Sequence, residues 1–81
     1  MKYQDIVSEA HEHGITVDER KNDVYFYGQD HRASMFRIGM FSGGRTWRAV
    51  STDAMQQRIS FDGTKAKAAD WCLDQVVNGP A

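Results

Sequence analysis

The sequence predicts an α+β fold: an antiparallel sheet of about four strands, with an N-terminal and a C-terminal helix. Three observations carry this. Tyr3, Ile6, Val7 and Ala10 recur at i, i+3, i+4 and i+7, an apolar stripe of helical period. The middle of the chain holds short alternating runs, and Ser42-Gly43-Gly44 joins two aromatic-bearing ones as the clearest hairpin signal. From Thr64 to Val77 the apolar spacing returns to that of a helix.

The first helix is predicted over Lys2 to His13. Gly14 stands where a left-handed cap belongs, and Ile15 beyond it closes the hydrophobic contact. His11 and His13 fall in the last turn, where a protonated imidazole suits the helix dipole. Ile15–Glu19 alternates, Arg20–Asp23 turns, and Val24–Tyr27 alternates again, a short hairpin. Val24 and Phe26 share one face, Tyr25 and Tyr27 the other. Gly28-Gln29-Asp30 is a turn or loop.

Ala33–Phe41 puts Phe36, Ile38 and Met40 on a core face, and Met35, Arg37, Gly39 and Phe41 on a half-wet one. In Thr46–Thr52, Trp47, Ala49 and Ser51 oppose Arg48 and Val50. Register decides which set turns inward, and alternation alone leaves that open. Met55–Phe61 is the next run, and its polar Gln56-Gln57-Arg58 marks an edge strand, with a homodimer through that edge or through exposed tyrosines as one expectation. Asp62 or Thr64 caps the last helix. Its buried stripe is Ala66, Ala69, Leu73, Val76 and Val77, with Trp71 or Cys72 on the margin, and Asn78-Gly79-Pro80 ends it.

At 81 residues the chain is one domain, and its 41% hydrophobic content excludes a disordered polymer. No run is long enough to span a bilayer, so no membrane role is expected. Met1-Lys2-Tyr3 leads into polar residues, unlike a secretory signal. Cys72 is the single cysteine, so no internal disulfide can form; a cytoplasmic location is the expectation.

The net charge of −1 hides an asymmetry. From His31 to Phe61, five arginines (Arg32, Arg37, Arg45, Arg48 and Arg58) face one acid, Asp53, for a net +4. From Met1 to Asp23, six acids outnumber three bases, for −3. Arginine suits planar, bidentate recognition of phosphate.

The leading candidate site is therefore a sheet face bearing Arg37, Arg48 and Arg58 with Tyr25, Tyr27 and Trp47, a pairing of cations and rings that nucleic-acid modules use. The plainer alternative is rings in the core and arginines in water. Gly63-Thr64-Lys65-Ala66-Lys67 opens a helix, where free N–H groups with Lys65 and Lys67 can hold a phosphate, or where Thr64 simply caps. Asp5, Glu9 and Glu12 form a negative stripe at i, i+4 and i+7, either a solvated face or a contact for a basic partner protein.

No catalytic residues, cofactor or metal site are expected. His11 and His13 are two apart on a helix and face apart, and Cys72 and His31 form no paired ligand motif. Ser42-Gly43-Gly44 lacks the lysine and following helix of a phosphate loop. Asp30, His31 and Ser34 are close in sequence, but a triad is defined by geometry.

Gly44-Arg45-Thr46-Trp47-Arg48-Ala49, then Ile59-Ser60-Phe61, then Thr64–Trp71 resembles the AP2-like, arm-type DNA-binding domains of phage integrases. That resemblance implies three strands and a helix that read DNA with the sheet, and Arg45, Trp47, Arg48 and Arg58 as DNA-facing positions. The helix–strands–helix order, with Gly28 and His31 before a strand and Gly63-Thr64-Lys65 opening the last helix, is similar to double-stranded RNA-binding domains. Both imply a nucleic-acid partner, DNA or RNA. In general character the chain also looks similar to small phage-encoded anti-defence proteins, anti-CRISPRs among them. This implies the competing function, an inhibitor that contacts a host protein complex through Asp5, Glu9 and Glu12.

Overall fold

The computed structural model describes residues 2–29, 35–52 and 55–78. The elements are α1 (Tyr3–Glu12), β1 (Thr16–Glu19), β2 (Asp23–Gln29), β3 (Met35–Ser42), β4 (Trp47–Thr52), β5 (Arg58–Gly63) and α2 (Lys65–Asn78). The strands form one antiparallel sheet in chain order, β1-β2-β3-β4-β5.

Helix α1 follows its sequence pattern. Asp5 accepts a hydrogen bond from the Lys2 backbone N–H at 3.2 Å, which satisfies one free donor at the helix start. At the other end Gly14 takes φ +74°. The Ile15 N–H reaches the Ala10 carbonyl at 2.9 Å and the Gly14 N–H reaches that of His11 at 3.0 Å, a Schellman cap. Ile15 is buried there, and Ile6, Val7 and Ala10 are buried along the helix.

Register resolves the faces. Val24 and Phe26 of β2, Ile38 and Met40 of β3, and Ala49 of β4 are buried on one face. Against them α2 sets Ala68, Ala69, Cys72, Leu73 and Val76, and α1 adds Ile6 and Ala10. Both helices thus pack on one side. Gly28 allows α2 its close approach to β2, since a Cβ there would stand 2.6 Å from Val76 Cγ1.

Three expectations are corrected and one open choice is settled. The sheet has five strands and not about four, because the short β1 pairs with β2 along its whole length. The last strand begins at Arg58, not Met55: Gln56 adopts φ 62°, a left-handed turn conformation, and Met55 is 80% exposed. Asp62 is consequently a strand residue, and Thr64 is the cap, its Oγ1 accepting the Lys67 N–H at 3.2 Å. On α2, Ala68 and Cys72 occupy the buried stripe, while Val77 is 46% exposed. Ala33-Ser34, Asp30-His31 and Gly79-Pro80 lie outside the described residues.

Burial pushes the Cys72 thiol up to about 12, so the thiolate is suppressed in the folded state. A thiol reagent at about pH 8 leaves the native protein unlabelled and labels the chain once in denaturant, as read by intact mass. Rapid labelling without denaturant would show that α2 leaves the sheet readily.

Candidate nucleic-acid interface

The sheet face away from the helices carries Thr16, Asp18, Asp23, Tyr25, Tyr27, Arg37, Gly39, Phe41, Arg48, Val50, Thr52, Arg58, Ser60 and Asp62 by strand alternation. Among the described residues no helix covers it.

Its centre is an aromatic platform. Tyr25 lies directly opposite Gly39 on β3, and Phe41 is the next residue on that face. The empty position lets the two rings meet edge to face, with centroids 5.8 Å apart at 81°. A Cβ on residue 39 would sit 2.9 Å from Phe41 Cζ and 3.0 Å from Tyr25 Cε1. Two guanidiniums lie over the Tyr25 ring: Arg37 at 4.7 Å and Arg20 at 5.2 Å from its centroid. A hydrogen bond to Asp23 holds the Tyr25 phenol above its ordinary range, assisted by partial desolvation, while Arg37 and Arg20 pull it down. Phe41 is 40% exposed, unusual for a phenylalanine.

The arginines differ in engagement. Arg48 donates from Nε and Nη2 to the two carboxylate oxygens of Asp62, at 2.9 and 3.3 Å, directly across the β4–β5 ladder. The bond lowers the Asp62 pKa. Arg20 pairs with Asp18 at 3.1 Å and reaches Asp23 at 4.0 Å. Arg37 and Arg58 have no carboxylate partner among the described residues. Both line a cleft of about 260 Å³ with Val50, Thr52 and Ile38, beyond the Gly39–Val50 end of the β3–β4 pairing.

Five of the proposed residues thus share the outer face: Tyr25, Tyr27, Arg37, Arg48 and Arg58. Trp47 does not join them. It shares the parity of buried Ala49, packs against the core, and faces the helix side. The Lys65 ammonium sits over its ring at 5.2 Å and over that of Tyr3 at 4.2 Å, so Lys65 belongs to the helix layer. Lys67 is exposed on α2, and Arg45 is exposed in the β3–β4 turn. On α1, Asp5 is spent on the helix start, Glu9 is half-buried and Glu12 exposed. Phe41 and Arg20 were missing from the proposed set. The signal for Phe41 is cross-strand: a glycine opposite a tyrosine invites a neighbouring ring to cover it.

No protein-family model, curated protein or solved structure matches the chain in comparison. Among the described residues no helix is long and apolar enough to cross a membrane.

Proposed function

We propose that this protein is a nucleic-acid-binding module that takes unpaired bases and their backbone on the open sheet face. The observation that carries the reading is the Tyr25–Phe41 pair flanked by the Arg37 and Arg20 guanidiniums. An exposed ring accepts any base by stacking, and a guanidinium beside it meets the attached phosphate. Phe41, the exposed ring, supplies the stacking surface, Tyr25 backs it edge to face, and Arg37, which has no carboxylate partner among the described residues, supplies phosphate contact. The ion-paired Arg48 holds β4 to β5 and contributes little to binding.

Fluorescence anisotropy with labelled single-stranded and duplex oligonucleotides tests this. Single strands bind more tightly than duplexes of the same sequence. Phe41→Ala weakens binding by about ten-fold, the loss of one stacked base, and Tyr25→Ala weakens it by removing the ring that holds Phe41 in place. Arg37→Ala weakens binding and lowers the slope of log affinity against log salt by about 0.7. Absence of binding at low salt, or binding indifferent to Tyr25 and Arg37, refutes the reading.

A further inference from the structure

The two edges of the sheet are not alike. Edge strand β1 reads Thr16-Val17-Asp18-Glu19, short and acidic. Asp18 is tied to Arg20, and Glu19 accepts a hydrogen bond from the Tyr3 hydroxyl at 2.8 Å. Two copies of this edge would repel each other. Edge strand β5 reads Arg58-Ile59-Ser60-Phe61-Asp62-Gly63. Arg58, Ser60 and Asp62 lie on the outer face, Ile59 and Phe61 on the helix side. Among the described residues no strand pairs with its free side.

We propose that β5 is a self-recognition edge, and that a second copy of this chain pairs with it antiparallel about a two-fold axis through Ser60. The sequence is complementary to itself in that register. With Ser60 opposite its own counterpart, Arg58 faces Asp62 of the second copy, and Asp62 faces Arg58. On the other face Ile59 meets Phe61, twice. Moving the axis to Ile59 or to Phe61 sets Ser60 against Arg58 or against Asp62 and loses both charge pairs. An odd shift places helix-side residues opposite outer ones. The Asp62 carboxylate already holds Arg48 in its own chain. A second guanidinium completes a row of Arg48, Asp62 and Arg58 across the joint, within the acceptor capacity of a carboxylate.

The helix side of the same edge also awaits cover. Phe61 stacks on Trp71, centroids 6.2 Å apart at 16°, and both rings are only half-buried. They line an open groove of about 320 Å³ whose rim carries both signs of charge, Lys67 against Asp70 and Asp74. Ile59 of a second copy enters beside Phe61, extending the core across the joint. The two outer faces then become one surface carrying two Tyr25–Phe41 platforms, with β4 and β5 of both copies between them.

Sedimentation equilibrium of the full chain tests the proposal. The wild type sediments with twice the 9.2 kDa chain mass. Arg58→Asp alone and Asp62→Arg alone each sediment as single chains, because every opposed pair then carries like charge. An equimolar mixture of the two variants restores the two-chain mass, since every opposed pair is again of opposite sign. Far-ultraviolet circular dichroism confirms that each variant is folded, and only folded variants can be restored by mixing. A single-chain mass for the wild type, a two-chain mass for either variant alone, or a mixture of folded variants that stays monomeric overturns the proposal.

Discussion

Phe26→Ala removes a large part of the folding free energy. Phe26 is fully buried on β2, with a strand on either side and α2 over it. Truncating such a ring costs about 3–5 kcal/mol, from lost transfer free energy and from the cavity left behind. A domain of this size holds roughly 4–12 kcal/mol in total. Its neighbours Val24, Ile38 and Met40 sit on adjoining strands whose spacing is fixed by backbone hydrogen bonds, so the cavity cannot close by a strand moving in. The urea midpoint falls steeply, and at 37 °C the near-ultraviolet signal of the aromatic core is lost. Loss of less than about 1 kcal/mol would mean that Phe26 is not central to the core.

Gly28→Ala is the second large effect, although it adds a single carbon. That carbon falls 2.6 Å from Val76 Cγ1 and 3.1 Å from Phe36 Cζ. Val76 is β-branched and lies within a helix, where one rotamer dominates, so its methyl cannot swing aside. The clash must be relieved by lifting α2 from β2, a cost of about 1–3 kcal/mol. Val76→Ala opens space at the same point. In that background Gly28→Ala costs far less, and the double-mutant cycle gives a coupling above about 1 kcal/mol by urea denaturation. Additive effects would show that the two residues are not in contact.

Much of this architecture is written in local pattern. The α1 stripe, its Gly14 cap and the faces of Val24–Tyr27 and Phe36–Phe41 depend on short spacing alone, and each is found as read. What failed or stayed open depended on long-range information. Trp47 could join either face, and only pairing of β4 with β3 sent it to the helix side. Met55 has strand-like neighbours, but the left-handed Gln56 confines it to the turn. Asp62 is a good cap by composition, yet Arg48 across the ladder holds it in the strand. The platform has the same origin: Tyr25, Gly39 and Phe41 come from two strands, and their meeting is a matter of register.

Because each strand neighbours the next in the chain, the sheet can zip up from successive hairpins with little loop entropy to overcome at any step. The contact between α1 and α2 is of another kind, joining elements far apart in the sequence. Among the described elements it spans the most chain, so it carries the largest loop-closure entropy. Until α2 docks, the apolar side of the sheet stands open to water.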